Sequence, residues 1–163
     1  MTDIQLSQPP RGWKAWFWRA PIWFYRLGLG GLFGKRFLLL NHIGRKSGLS
    51  RQAVIEIVKI DDQSNVYYSV SGFGEKAHWF QNIMQTSNVD IQIGVRKMAA
   101  RAERLSLEDG EAILQEYSRL HPTALRELSK IMNIPYDGSS ESVSEMAKVL
   151  PVIAFIGQAE RTV

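Results

Sequence analysis

Residues 37–71 read FLLLNHIGRKSGLSRQAVIEIVKIDDQSNVYYSVS, and the way this stretch divides decides the fold. Phe37 to Ile43 is apolar and strand-like, a basic turn GRKSGLSR follows, and Gln52 to Ile60 is a second β-rich run. Asp61-Asp62-Gln63-Ser64-Asn65 is built of turn formers, so Val66 to Ser71 is the next strand, paired antiparallel. The spacing therefore predicts a three-stranded meander.

Downstream, Trp79, Phe80, Ile83 and Met84 form one face of a helix over 77–85, after which Val89, Ile91 and Ile93 alternate as a strand. Gly94 and Arg96-Lys97 close a hairpin into Met98 to Leu105. Ser106 reads as a helix cap, with Glu108, Asp109 and Glu111 in the first turn, where the helix dipole favours acids. That helix runs to about Leu120, where His121-Pro122 interrupts it. Thr123 to Met132 is helical again, Tyr136 to Glu145 reads as an exposed Gly/Ser-rich loop, and Pro151 to Gln158 is a final strand. Strands first, one short helix among them, and helices inserted before the last strand give an α+β fold with a small antiparallel barrel, not a doubly wound sheet.

Upstream, residues 11–27 interleave aromatics with Arg11, Lys14, Arg19 and Arg26, and Trp13, Trp16, Phe17, Ala20 and Phe24 fall at helical spacing. An amphipathic helical element is expected, broken by the glycine-rich loop 28–34. With 163 residues and 45% hydrophobic content, the chain supports one core, hence a single domain over 1–163 with 1–30 as an amphipathic extension. Cysteine is absent, which removes disulfides and thiolate chemistry. No run of about 18 apolar residues occurs and no signal-peptide layout is seen, so a cytoplasmic protein is expected.

The net charge of +4 hides an asymmetry: positions 4–55 hold nine Lys or Arg and no acid, leaving 11 basic against 16 acidic residues elsewhere. An anionic partner is expected at the first third, whether nucleic acid, a lipid surface or a phosphorylated cofactor. Several familiar motifs fail. G-x-G-x-x-G would need glycine at Phe33, a P-loop would need glycine where Arg45 stands, and no G-x-S-x-G elbow exists. His42, His78 and His121 are too far apart for a local metal motif, so no metal is expected. Gly44-Arg45-Lys46-Ser47-Gly48 with Arg51 behind it remains. Two glycines free the backbone to expose N–H groups beside a hydroxyl and three cations, which suits a phosphodiester or a carboxylate-rich tail. A solvated basic hairpin accounts for the same residues equally well.

The succession of Trp23-Phe24-Tyr25-Arg26, Gly28 to Gly34, Gly44-Arg45-Lys46-Ser47-Gly48, Arg51, Ser71-Gly72-Phe73-Gly74-Glu75-Lys76 and Trp79-Phe80-Gln81-Asn82-Ile83 resembles the deazaflavin-dependent nitroreductase family over residues 20 to 105. The resemblance implies a split antiparallel β-barrel of the FMN-binding type and coenzyme F420 as cofactor, with FMN as the alternative. Carried over by position, it makes Arg45, Lys46, Ser47, Gly48 and Arg51 contacts to the phosphate and tail, and sets Ser71, Gly72, Trp79 and Asn82 nearer the ring. Ser71 stands where relatives carry a basic residue, and His121 to Leu125 occupies the region where several place tyrosines.

The function so implied is hydride transfer from reduced F420 to a small electron-poor acceptor such as an activated alkene, a quinone or a nitro compound. The cofactor carries the chemistry, so no catalytic residue is singled out. A flavin, deazaflavin or apolar-ligand carrier without turnover is the rival reading, and an FMN-dependent reductase a second. Trp79 also reads as core, Asn82 as a backbone bridge and His78 as structural. No nucleic-acid partner is expected, because the aromatics of 11–27 lack a stacking-sheet arrangement. That segment is expected to serve either as a lid or as a contact to an anionic membrane surface. Monomer and homodimer both remain open.

Overall fold

The computed structural model describes residues 22, 25–27 and 29–158, with isolated positions 4, 6 and 8. Most of the expected amphipathic helix over 11–27 lies outside the described residues, including Trp13, Trp16 and Phe17. Within it, Ile22, Tyr25 and Arg26 are helical. The glycine-rich stretch is wound as a short 3-10 helix, Leu29–Phe33.

Six strands close into an antiparallel barrel: β1 (Phe37–Ile43), β2 (Ser50–Asp61), β3 (Val66–Val70), β4 (Asn88–Ile93), β5 (Arg96–Arg104) and β6 (Val152–Gly157). Their order around the barrel is β1-β2-β3-β6-β5-β4. The meander holds, with Leu38 opposite Ile55 and Ile57 opposite Ser69. Closure comes from β1 pairing with β4, where Leu40 faces Ile91. Alternation explains the filling: Leu38, Leu40, Ile55, Ile57, Ile91, Ile93, Ile153 and Phe155 point into one buried cluster. A register shift between Ile57 and Lys59 bulges β2 at Val58, so that Ile60 returns to the inner cluster while Val58 packs outside.

Helix α1 (His78–Gln85) lies between β3 and β4 and sends Phe80 and Ile83 into the barrel cluster. Three more helices separate β5 from β6: α2 (Leu107–Leu120), α3 (Pro122–Met132) and α4 (Ser140–Val149). Their buried faces, with Leu114, Tyr117, Leu125, Met132, Val143 and Met146, form a second cluster that takes in Val58 and Val70 from outside the barrel. The cap at Ser106 is as expected, its Oγ accepting from Asp109 N at 3.1 Å.

Helix α4 corrects the loop expected over 136–145. Its first residues look like loop formers, but Ser139 is a cap whose Oγ accepts from Ser142 N at 3.1 Å. Val143, Met146 and Ala147 then supply the apolar face. Strand β3 also stops one residue short, because Ser71 turns away to donate its N–H to Pro151 O at 3.0 Å and its hydroxyl to Gly74 O at 2.7 Å.

Candidate functional site

At the end of β1 the turn over 44–49 folds back on itself. Gly44 N donates to Leu49 O and Gly48 N to Gly44 O, both at 2.8 Å, while Leu49 N donates to Ser47 Oγ at 3.3 Å. Gly48 takes φ 67°, the left-handed region where a Cβ is disfavoured. Arg45 N goes to Asn82 Oδ1 at 3.1 Å. The expected row of exposed N–H groups is therefore reduced to Lys46 and Ser47, whose N–H groups have no partner among the described residues. With its Oγ already accepting from Leu49, Ser47 keeps its hydroxyl hydrogen available to an anion.

The turn rims a cavity of about 1370 Å³. Val54, Glu56 and Val58 on the outer face of β2 form one wall, Leu128, Ile131 and Met132 of α3 another, and His78, Trp79 and Asn82 of α1 a third. Its cations are Arg26, Arg36, Arg45, Lys46 and Arg51, and Glu56 is the one carboxylate among the described lining residues. Such a wall concentrates anions. Arg26 Nε reaches Gln52 Oε1 at 3.0 Å, and Arg36 gives Nε and Nη2 to Glu56 Oε1, each at 3.3 Å. The side chains of Lys46 and Arg51, both residues exposed, have no hydrogen bond or ion pair among the described residues.

Of the residues singled out in the sequence, Arg45, Lys46, Ser47, Arg51, Gly72, Trp79 and Asn82 come together around this one cavity. Two do not line it. Gly48 serves the turn conformation, and Ser71 is fully buried with its hydroxyl spent on Gly74 O. Gly72 permits a close approach, since a Cβ there would meet Met132 Sδ at 3.1 Å. Trp79 is half-buried, packed against the barrel cluster and edge-on to Phe80 at 6.2 Å, so it serves the core and the cavity wall together. Glu75 pairs with Arg104 on β5 at 2.7 Å instead of with its neighbour Lys76.

Two cavity residues carry more than the sequence reading gave them. His42, weighed only as a metal ligand, is 5% exposed and hydrogen-bonded through Nδ1 to Asn82 Nδ2 at 3.1 Å. Burial first, and the nearby Arg51 charge second, hold its pKa down at about 4, so the ring is neutral at physiological pH. Only its burial was legible, because 42 shares the inward parity of Leu38 and Leu40. Glu56 shares the outward parity of Val54, and its Oε1 also accepts from Tyr117 Oη at 3.1 Å. Burial, then the Glu56 charge and hydrogen bond, push the Tyr117 phenol well above its ordinary range.

Residues 18–128 match the family model described as F420H(2)-dependent quinone reductase. A protein of Mycobacterium tuberculosis (strain ATCC 25618 / H37Rv) named "Putative F420H(2)-dependent quinone reductase" is 35% identical over 79 residues, 47% of this chain; the chain spans 65% of that relative's length. Among solved structures, an F420-H2 dependent reductase superposes with TM-score 0.50 at 20% identity, over 75% of this chain and 95% of that one. A pyridoxamine 5′-phosphate oxidase-related, FMN-binding protein of Nostoc punctiforme PCC 73102 superposes with TM-score 0.51 at 14% identity, over 91% of this chain and 81% of that one. At these identities the two structures speak to the split-barrel fold alone.

Proposed function

Because this chain belongs to the F420H(2)-dependent quinone reductase family, we propose that it is an oxidoreductase that binds reduced coenzyme F420 in the cationic cavity and passes a hydride to a small electron-poor acceptor, a quinone before an activated alkene or a nitro compound. One observation carries the reading. A cavity of about 1370 Å³ exceeds the roughly 300–1,000 Å³ of ordinary small-molecule sites, and it joins a cationic turn to an apolar wall. The residues fit the group: Lys46, Arg51, the Ser47 hydroxyl and the N–H groups of Lys46 and Ser47 would hold a phosphate and its tail. Val54, Trp79, Ile131 and Met132 would enclose an apolar ring and acceptor.

When bound, the deazaflavin supplies the hydride. The chain's own part is to orient, to exclude water and to clamp the tail so that ring and acceptor stay in register. Binding and orientation call on no charged general acid, and Glu56, the sole carboxylate among the described lining residues, is engaged by Arg36 and Tyr117.

Anaerobic mixing of the protein and reduced F420 with a quinone, a nitroarene or an activated alkene tests the reading, followed by the return of the oxidised coenzyme's absorption. Reoxidation with the quinone at least as fast as with the others is expected. Tight binding without reoxidation makes the protein a carrier, and reoxidation of reduced FMN alone would move the assignment to the flavin.

The segment 11–27 is proposed, on its cations and aromatics alone, to close over this cavity or to lie on an anionic membrane surface. Among the described residues no helix is long and apolar enough to cross a membrane. Salt-sensitive co-sedimentation with anionic vesicles, lost on deleting residues 1–20, supports the membrane use; loss of coenzyme affinity without vesicle binding supports the lid.

A further inference from the structure

Asn82 sits on the buried side of α1, 5% exposed, between Arg45 of the cationic turn and His42 of β1. Its Oδ1 accepts twice from one residue, from Arg45 N at 3.1 Å and Arg45 Nη1 at 3.0 Å. Two donors converging on the same atom fix which end of the amide is oxygen. The nitrogen end must then face His42, with Nδ2 3.1 Å from Nδ1. An amide N–H can only donate, so Nδ1 accepts and the ring proton lies on Nε2. His42 is placed in turn by β1, directly opposite Arg51 in the β1–β2 register. A chain of contacts thus runs from the barrel wall through His42 and Asn82 to both the backbone and the guanidinium of Arg45.

We infer that Asn82 is a positioning residue, its amide held by His42, which fixes Arg45 for anion binding instead of serving as a coenzyme contact itself. The inference rests on the proposed use of the turn as the F420 tail site, and it differs from the role that the resemblance implies for Asn82. Both good acceptor directions of Oδ1 are taken by Arg45, and one of the two Nδ2 hydrogens by His42. Arg45 is only half-buried and would otherwise sample many rotamers, so anchoring it lowers the entropy lost when an anion binds.

A double-mutant cycle in the full chain reads this role. In titrations with oxidised F420, Asn82→Ala is expected to weaken binding about tenfold, and less than about threefold when Arg45 is already Ala, since Asn82 acts mainly through that side chain. Equal fold-losses in both backgrounds would mean that Asn82 contacts the coenzyme independently, and would overturn the inference. A second arm needs no coenzyme and so separates failure of this inference from failure of the reductase reading. Long-range ¹H–¹⁵N NMR of the free protein should show His42 Nδ1 unprotonated and Nε2 protonated. In the isosteric Asn82→Asp, which keeps an acceptor for Arg45 but turns an oxygen on Nδ1, His42 should take its second proton at a higher pH than in the wild type. A proton on Nδ1 in the wild type, or an unmoved His42 titration in Asn82→Asp, would contradict the inference.

Discussion

Tyr117 on α2 donates its phenol hydrogen to Glu56 Oε1 on β2 at 3.1 Å, across 61 residues of sequence, and so ties the helical layer to the barrel at the wall of the cavity. Glu56 is braced from the other side by Arg36. A carboxylate in a cationic cavity keeps its place because both neighbours donate to it.

Tyr117→Phe removes one donor and leaves the ring packing. A loss of about 1.5–3 kcal/mol in unfolding free energy is expected, the range for hydrogen bonds to charged groups, measured by denaturant titration at neutral pH. The phenol's raised pKa also predicts alkaline behaviour. Below the ordinary phenol value of about 10 the phenol is protonated in both states. Above it the unfolded chain loses the proton first, so stability falls as pH rises from there toward the higher folded value. The Phe variant should lose that part of the alkaline decline.

His42 gives the opposite slope at the acid end. Its folded pKa of about 4 lies below the ordinary 6.5, so the unfolded state binds the extra proton first and stability drops as pH falls from about 6.5 toward 4. His42→Gln, which cannot titrate, should flatten this part of a denaturation midpoint profile. A profile unchanged by the substitution would mean that His42 is protonated in the folded protein near its ordinary pH.

Trp79 is predicted to tolerate Phe and not Asp. It packs half-buried beside the barrel cluster and edge-on to Phe80, and no hydrogen bond of its indole N–H is found among the described residues. Phe preserves most of the apolar area, with about 1–2 kcal/mol lost to the smaller ring; Asp would desolvate a charge against the core. Thermal melts and coenzyme titrations check both. Loss of turnover in Trp79→Phe with folding and affinity intact would assign the indole a more specific role.

Much of this was legible in the chain because each strand's alternation and each turn's residues agree. Leu38-Leu40 and Ile55-Ile57 set the inner face, GRKSG sets the reversal, and Trp79-Phe80-Ile83 sets the helix that plugs the barrel. The basic turn, Trp79, Gly72 and Asn82 converge as a consequence. What escaped reading depends on neighbours remote in sequence. The helix at Ser140–Val149 needs its capping serine and the groove of α2 to outweigh its loop-like composition. Ser71 looked like a ligand by position, yet its hydroxyl is spent on Gly74. His42 and Glu56 acquire their settings only from Asn82 and Tyr117, 40 and 61 residues away.

The central claim is that the turn at 44–51 clamps the phosphate and tail of F420, and a fluorescence titration tests it most directly. Wild type is compared with the double charge reversal Lys46→Glu, Arg51→Glu, against both F420 and the deazaflavin chromophore stripped of its phosphate and tail. Both side chains reach solvent and pair with nothing described, so the melting temperature should be nearly unchanged. Affinity for F420 should fall by about 1–3 kcal/mol per lost charge-assisted contact, while affinity for the stripped chromophore should stay the same. Equal F420 affinity in the folded double variant and the wild type would contradict the account.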